Sequence, residues 1–598
     1  MQRKRRFMSV VSLLKERTAQ AVENLYKVPA LAGNVLVNET KPEFEGDYTI
    51  VLFALVKSLK IAPDKLGTEI GSFLVQNHPE FITGFNMIKG FLNLTIADAY
   101  FTNFLNQTTN ELTSQLPSTG KKIIVEYSSP NTNKPLHLGH LRNNFLGWSV
   151  AQILKAAGNE VFKTCIANDR GIHICKSMIA WERFSNGATP ESTGIKGDHL
   201  VGDYYVKFNN VYKEQIAALT EKGVAKDVAE KEAPIMQQTQ QMLLDWESGK
   251  PDVLSLWRKM NSWVYKGFDE TYKRIGSDFD KIYYESETYL LGKKFVEDGL
   301  KKGVLYKKED GSVWIDLTAD GLDEKLLLRR DGTSVYITQD LGLAQEKYND
   351  YPYDQSIYVI GDEQNYHMNV LQLILKKLDL PYANGVYHLS YGMVELPTGK
   401  MKGREGTVVD ADDIVDEMIK QAAIKTKEIS KIEDFGDAEL KNLHDMIGLG
   451  ALKFFLLRVD PKKKMIFNPE ESIDLHGFTA TFIQYTHARI KSILRKAGYM
   501  QPAVTFTNPL LPLEKTLLLL LEQYHTAIQQ AAQEHNPSVL ANYTFNLAKT
   551  YNAFYAEHPV MRAESEEKKR LRLQLCNQTA ETIKQAMRLL GIQVPERM

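Results

Sequence analysis

Two histidines three positions apart, His137 and His140, flank Gly139 in the stretch KPLHLGHLRNNFLGW, from Lys134 to Trp148. Upstream, KKIIVEYSSPNTN reads as a strand over 121–128 that opens into a polar, turn-rich loop. Downstream, Leu138, Leu141, Phe145 and Trp148 recur at helical spacing, and Gly158 is a natural stop. EVFKTCIAND then reads as a second strand, so the histidines sit where a βαβ unit enters its helix. The first turn of a helix carries unpaired N–H groups and the positive end of the dipole, which together attract phosphate. His137 and His140 fall on one face of that turn, and Lys134 adds a positive charge just outside. Gly139 removes a side chain that would block a flat or phosphorylated ligand. A helix start with a capping histidine and a satisfied surface histidine accounts for the spacing equally well.

A second stretch, GKMKGREG over 399–406, places Lys400, Lys402 and Arg404 among glycines just past the strand pattern VYHLSYGMVEL. Alone it is an ordinary solvated turn. Facing a helix-start phosphate site at the carboxyl ends of sheet strands, it supplies the cations that a triphosphate reaction requires.

At 598 residues the chain is too long for one core. With 43% apolar and 25% charged residues it has a globular composition, and its net charge of −1 argues neither for nor against nucleic acid. Basic clusters at DPKKKM, HARIKSILRK and EEKKRLRLQL, all in the last quarter, tilt toward an acidic partner there. Cys165, Cys175 and Cys576 form neither a disulfide framework nor a zinc pattern, which fits a reducing, cytoplasmic setting. No apolar run is long enough to span a membrane. The opening MQRKRRFMSVVSLL continues into an amphipathic helix without a cleavage-like stretch, which argues against a targeting peptide; either Met1 or Met8 could be the working start.

The expected organisation is multidomain α/β. Residues 1–117 read as a small α+β domain with the alternating stretch GFLNLTIAD, and LTSQLPSTGKK as a linker. Residues 118–440 read as a Rossmann-type parallel-sheet domain, interrupted over about 177–275 by a helical insertion. SVYITQDLGLAQEKY and QSIYVIGDEQNYHMNVLQLILKKL each read as a strand running into a helix, and Asp410 to Asp413 as the cap of the next helix. Residues 441–598 read as all-helical.

HLGH resembles the HIGH motif, and KMKGR a degenerate KMSKS loop, of class I aminoacyl-tRNA synthetases. VEYSSPNTNKPLHLGHLRNN, RRDGTSVYITQDLGLA, FIQYTHARIKSILRKAG and the terminal LLGIQVPERM are similar to arginyl-tRNA synthetases in particular, over nearly the whole chain. The resemblance implies ATP-dependent ligation of L-arginine to tRNA(Arg) through an arginyl-adenylate. It further implies Mg²⁺ arriving with ATP rather than at a dedicated protein site, and a cytoplasmic monomer. His137, Gly139, His140, Lys134 and Met401 would bind ATP, with Lys400, Lys402 and Arg404 completing the catalytic set. The second lysine of KMSKS is missing: Gly403 stands in its place, and the resemblance assigns Lys134, helped by Arg404, the compensating charge.

A guanidinium asks for carboxylates in forked geometry beside aromatic or amide groups. By motif match, Glu126, Ser128, Asn131, Tyr336, Asp340, Gln364 and Glu285 would line the arginine pocket. Asp340 with Tyr336 would take the guanidinium, and the Glu126/Asn131 loop with Gln364 the α-amino end. The helical C-terminal domain resembles an anticodon-binding domain, with Gln484, Tyr485, His487, Arg489 and Met598 as tRNA contacts. The N-terminal domain resembles the family's extra tRNA-contacting domain, through Phe91 and Asn93. Two other readings compete: a class I synthetase for another amino acid, which an apolar pocket would favour, and a tRNA-binding protein that has lost catalysis, which the altered 402–405 loop would favour.

Overall fold

A parallel β-sheet needs long crossovers, and this chain supplies them as helices on both faces. The computed structural model describes residues 9–29, 33, 35–41, 43–107, 116–397, 409–429, 435–499 and 509–598. The N-terminal sheet contains β1 (Leu36–Glu39), β2 (Tyr48–Val51), β3 (Ile82–Ile88) and β4 (Phe91–Ile96), in the antiparallel order β1-β2-β4-β3. The helices Val10–Tyr26 and Pro63–Asn77 pack within the same domain.

The central sheet is parallel throughout, with β5 (Lys122–Glu126), β6 (Glu160–Ala167), β7 (Lys281–Tyr284), β11 (Gln355–Gly361) and β12 (Val386–Tyr391) in the order β12-β11-β5-β6-β7. Winding reverses between β5 and β11, so their carboxyl ends open the crevice where ligands of such sheets bind. A small antiparallel sheet of β8 (Tyr306–Lys307), β9 (Val313–Ile315) and β10 (Lys325–Leu328), which the sequence reading passed over, borders that crevice. The helical insertion already begins at Ile172 and ends at Ile275. Beyond residue 440, β14 (Met465–Ile466) pairs in parallel with β13 (Val394–Glu395), so the chain returns to the central unit before the last helices.

One expected strand is absent. SVYITQD forms no strand: Ser334 makes a single bridge to Leu328, Val335 is the extended cap, and a helix runs Tyr336–Asp350. Its buried residues Ile337, Thr338, Leu341, Gly342 and Ala344 follow a helical stripe, which overrides the β-branched bias of the run.

The helix Leu138–Ala156 lies at the centre of the molecule and is buried on nearly every side, between the sheet and the helices Asp437–Leu457, Tyr524–Glu534, Pro537–Glu557 and Glu566–Leu589. Gly147 lets it cross β5 closely, because a Cβ there would stand 2.4 Å from the Tyr127 side chain. Ser149 Oγ donates to Leu589 O at 3.0 Å, which ties the C-terminal segment to this helix, and Lys453 Nζ donates to Gly591 O at 2.7 Å, which ties it to the helix Asp437–Leu457. Cys165, Cys175 and Cys576 are buried free thiols. No helix among the described residues is long and apolar enough to cross a membrane.

The N-terminal domain docks on the helix Pro512–Glu522. Lys515 Nζ pairs with Asp47 at 2.8 Å and donates to Ile96 O at 2.9 Å. Buried Glu522 accepts the Val10 N–H at 2.7 Å and the Tyr48 hydroxyl at 3.5 Å, and burial raises its pKa to about 7. A carboxyl raised in the folded state contributes stability that is complete below its unfolded pKa, near 4.5, and lost as the pH rises through 7. The Glu522→Gln variant should therefore melt above the parent at pH 8, by as much as ~3 kcal/mol of stability, with the gap closing toward pH 5. Equal gaps at both pH values would contradict the assignment.

Candidate active site

The polypeptide leaves β5 through two consecutive left-handed residues, Ser128 at φ 81° and Ser129 at φ 47°. Neither is glycine, and such strain persists only where the surroundings fix it. Here Asn143 fixes it: its Oδ1 accepts the Ser128 N–H at 2.5 Å, while its Nδ2 donates to Val359 O at 2.7 Å and to the Tyr391 hydroxyl at 3.2 Å. One buried amide thus staples β5, β11 and β12 at the point where the winding reverses. Asn144 donates to Ser128 Oγ at 3.1 Å, and Arg142 donates to the carbonyls of Met393, Pro461 and Lys463. Sequence reasoning missed all three. Their signal was three polar residues in a row, RNN, inside a helix otherwise apolar enough to be core.

His137 and His140 cap the helix reciprocally. The Gly139 N–H donates to His137 Nδ1 and the His137 N–H to His140 Nδ1, each at 3.1 Å, with the rings 4.0 Å apart. The cap uses one nitrogen of each ring: Nδ1 accepts from backbone, so the proton of each neutral ring is on Nε2. Burial and the nearby Lys134 push His137 down to about 3 and His140 well below its ordinary value. At neutral pH the pair is two uncharged N–H donors at a helix N-terminus. A Cβ on Gly139 would stand 3.0 Å from its neighbour's ring at His137 Cε1, so the glycine serves this stacking. Lys134 is half-buried, and its pKa is lowered by burial. Backbone joins this loop to the segment after the basic loop: Ala411 N–H donates to Leu136 O at 2.9 Å, and His137 bridges Asp410. Asp410 Oδ1 accepts the Asp412 N–H at 2.7 Å, which is the expected helix-start capping. Lys400, Met401, Lys402 and Arg404 lie outside the described residues.

A cleft of about 860 Å³ opens past the carboxyl ends of β5, β6 and β7, lined in part by Asn131, Arg170, Glu285, Tyr289, Arg329 and Tyr336. Tyr336 is 77% exposed on its wall rather than packed in the core. Glu285 begins a short turn at the carboxyl end of β7; its carbonyl accepts the Tyr289 N–H at 3.0 Å, and its carboxylate has no hydrogen bond or ion pair among the described residues. Burial raises it to about 7, opposed by Arg170 and reinforced by Asp169 and Asp340. Asp340, five residues past the helix cap Val335, is not a cap; it lies 2.5 Å from His367 Nε2, whose pKa it raises. Asn131 is exposed and bridges Asn168, and Gln364 is exposed at the end of β11.

Five of the expected contacts are committed elsewhere, the first being Ser128, which is buried with its Oγ accepting from Asn144 and 2.7 Å from the Tyr272 hydroxyl. Glu126 is buried in an ion pair with Lys347, whose ammonium also lies over the Tyr358 ring at 3.9 Å, so its carboxylate is not free for a ligand. Gln484 is fully buried, and its Nε2 donates to Met446 O at 3.0 Å and Gln593 O at 2.8 Å. His487 is likewise buried, its Nδ1 2.8 Å from Pro595 O. Both hold the C-terminal tail instead of facing solvent. Asn93 is buried between Thr49 Oγ1 at 2.6 Å and Asn86 Oδ1 at 2.9 Å, its cross-strand partners. By contrast Tyr485 and Arg489 are exposed one turn apart, with the Arg489 guanidinium 4.5 Å over the Tyr555 ring. Phe91 is exposed in an edge-on pair with Phe53, and Met598 is partly buried against the core.

A reversing parallel sheet with two histidine donors at its central helix start is the catalytic unit of a class I aminoacyl-tRNA synthetase. The family described as tRNA synthetases class I (R), catalytic domain, matches residues 101–468, and the DALR anticodon binding domain matches residues 483–598. An arginine–tRNA ligase of Amoebophilus asiaticus is 51% identical, covering 99% of this chain and 100% of its own length. One of Flavobacterium psychrophilum is also 51% identical with the same coverage. The solved arginyl-tRNA synthetase of Thermus thermophilus superposes with a TM-score of 0.81 at 26% identity, covering 98% of this chain and 100% of that one. The chain belongs to the arginine–tRNA ligase family.

Proposed function

We propose that the chain activates L-arginine with ATP and transfers it to tRNA(Arg), with the residues in the following roles. The arginine carboxylate attacks the α-phosphorus and pyrophosphate leaves; the terminal ribose hydroxyl of the tRNA then attacks the acyl carbon and AMP leaves. No covalent enzyme intermediate is needed, so the protein positions reactants and stabilises charge. His137 and His140 donate from Nε2 to the triphosphate, and Lys134 adds charge, with Lys400, Lys402 and Arg404 completing the cation set around it. Mg²⁺ enters with ATP. The cluster His199, Asp410 and Asp412 has metal-like spacing, but Lys196 Nζ already sits 2.8 Å from Asp412, so it is not assigned to the ion.

The single observation that supports arginine best is Glu285, a half-buried carboxylate without a partner among the described residues, in a cleft shared with Tyr336 and close enough to Asp340 to feel its charge. Burying an acid unpaired is costly unless a cation completes it. We assign the guanidinium to Glu285, Asp340 and Tyr336, and the α-amino end to Asn131 and Gln364; Glu126 leaves this set because Lys347 holds it. Incubation with ATP and total tRNA should charge arginine and neither lysine nor glutamine; charging of another amino acid in its place would overturn the reading.

For tRNA, Tyr485 and Arg489 form a stacking and charged face on one helix, joined by Phe91 on the N-terminal domain and by Met598. Tyr485→Ala should weaken tRNA binding about tenfold or more, since base stacking on an aromatic ring contributes ~1–3 kcal/mol, with the melting temperature unchanged. Gln484→Ala should do the reverse, lowering stability through the tail. Filter binding and melting curves distinguish the two. The protein acts as a monomer in the cytoplasm.

A further inference from the structure

Asp169 follows the carboxyl end of β6, one residue past Asn168, and is 1% exposed. Its carboxylate accepts three hydrogen bonds: from the Ser286 N–H at 2.8 Å, the Ser286 hydroxyl at 2.7 Å and the Tyr265 hydroxyl at 2.9 Å. Its own carbonyl accepts from Trp257 Nε1 at 2.7 Å and Asn261 Nδ2 at 3.4 Å. Among the described residues no lysine, arginine or histidine forms an ion pair with it. A buried carboxylate satisfied only by neutral donors is an expensive way to hold two segments together, and neutral groups could do so at lower cost. What the charge supplies beyond the hydrogen bonds is a negative field on its neighbour.

That neighbour is Glu285, adjacent in sequence to Ser286. The insertion helix Pro251–Ile275 contributes Tyr265, Trp257 and Asn261 to the same hub, so Asp169 joins β6, the exit of β7 and the insertion. Arg170, next along the chain, is held back from Glu285: its guanidinium stacks on Tyr289 at 3.9 Å and lies 5.4 Å from the Trp246 ring, and its Nη2 pairs with Glu247 at 2.9 Å. The Arg170 guanidinium is thus seated on aromatic rings and another acid, while the Glu285 carboxylate has no hydrogen bond or ion pair among the described residues.

Resting on the arginine pocket proposed above, we infer that Asp169 is a positioning residue for arginine selection, which locks Ser286 so that Glu285 faces the cleft and which biases that end of the cleft toward a cation. The charges that act on Glu285 are Arg170 and Asp169 from the β6 exit and Asp340 from the helix Tyr336–Asp350; Glu247, Lys293, Arg329 and Asp331 line the same cleft. Asp169 is among the causes that raise the Glu285 pKa.

The test is ATP–pyrophosphate exchange in the presence of tRNA on four variants of the full chain: Asp169→Asn, Ser286→Ala, Ser286→Thr and Glu285→Gln. Asp169→Asn should raise the arginine KM about tenfold with kcat and the ATP KM within twofold. It should also move the acid-side break in kcat/KM for arginine to lower pH, because a negative neighbour of Glu285 is gone. Ser286→Ala should raise the arginine KM about threefold, with Ser286→Thr near the parent; this pair carries the test if Asp169→Asn does not fold. An arginine KM unchanged in Asp169→Asn and Ser286→Ala, while Glu285→Gln raises it, would overturn the positioning role alone. A joint loss of kcat and melting temperature with no shift of the pH break would make Asp169 structural only, which also overturns it. An arginine KM unaffected by Glu285→Gln would instead remove the pocket itself.

Discussion

Replacing His137 or His140 by alanine lowers the rate of adenylate formation by ~10²–10³-fold, as expected for the loss of one preorganised donor to charge developing in a transition state. The arginine KM stays within a few-fold of the parent. Because each ring also caps the helix, alanine carries a stability cost of about 1 kcal/mol as well. His137→Asn separates the two effects: asparagine is a good cap, so this variant folds like the parent and is still slow. The pH profile of kcat at saturating arginine is the more discriminating readout. Burial and Lys134 hold His137 at about 3 and His140 far below its ordinary value, so neither ring changes charge between pH 6 and 9. Stopped-flow or exchange rates over that range should show no histidine break. A break near pH 6.5 that disappears on replacing either ring would mean that imidazolium, not imidazole, meets the triphosphate.

Glu285→Gln raises the arginine KM by roughly 30-fold or more, and Asp340→Asn by at least about tenfold, since a charged hydrogen bond contributes ~1.5–3 kcal/mol and an unpaired partner is left buried. The pH dependence has a definite sign. Glu285 has its pKa raised to about 7 in the empty cleft, so a guanidinium meets a carboxylate above that value and a neutral carboxyl below it. The arginine KM of the parent should therefore rise as the pH falls below 7, by up to tenfold per unit, and be flat above. In Glu285→Gln the break is gone and the KM is high at every pH. Steady-state exchange at pH 5.5, 7 and 8.5 is enough to see it; a KM that is flat across this range in the parent would contradict the role given to Glu285.

What the sequence revealed and what it hid divide along a physical line. The βαβ start, the buried strand β5 and the helix at Leu138 were legible because their signals are local: a strand run, a turn, a helical stripe and a glycine stop. Successive side chains of a strand point to opposite faces, which could have warned about Glu126: it shares the Ile124 face of β5, under the helix that carries Lys347. Its partner, however, lies far along the chain and comes into contact only through the sheet. Gln484 and His487 were misread for the same reason: their partners are carbonyls of the C-terminal tail, more than one hundred residues on. The helix nevertheless carried a usable signal, since Tyr485 and Arg489 share the exposed face that Gln484 and His487 turn away from. Tyr336 was placed in a strand because a β-branched run mimics one, although its side chain still reaches the cleft. Asp169 and Arg170 were overlooked at the end of β6 although the rule that flagged the end of β5, ligands at the carboxyl edge, applies there equally.

We propose that arginine is activated in the cleft that Glu285 and Tyr336 line. This is tested most directly by ATP–pyrophosphate exchange with arginine, lysine or glutamine, each with and without total tRNA. Exchange that depends on arginine alone and is lost in both His140→Ala and Glu285→Gln at subsaturating arginine is the predicted result. No exchange with any of the three in the presence of tRNA, from a chain that still binds tRNA, would contradict it.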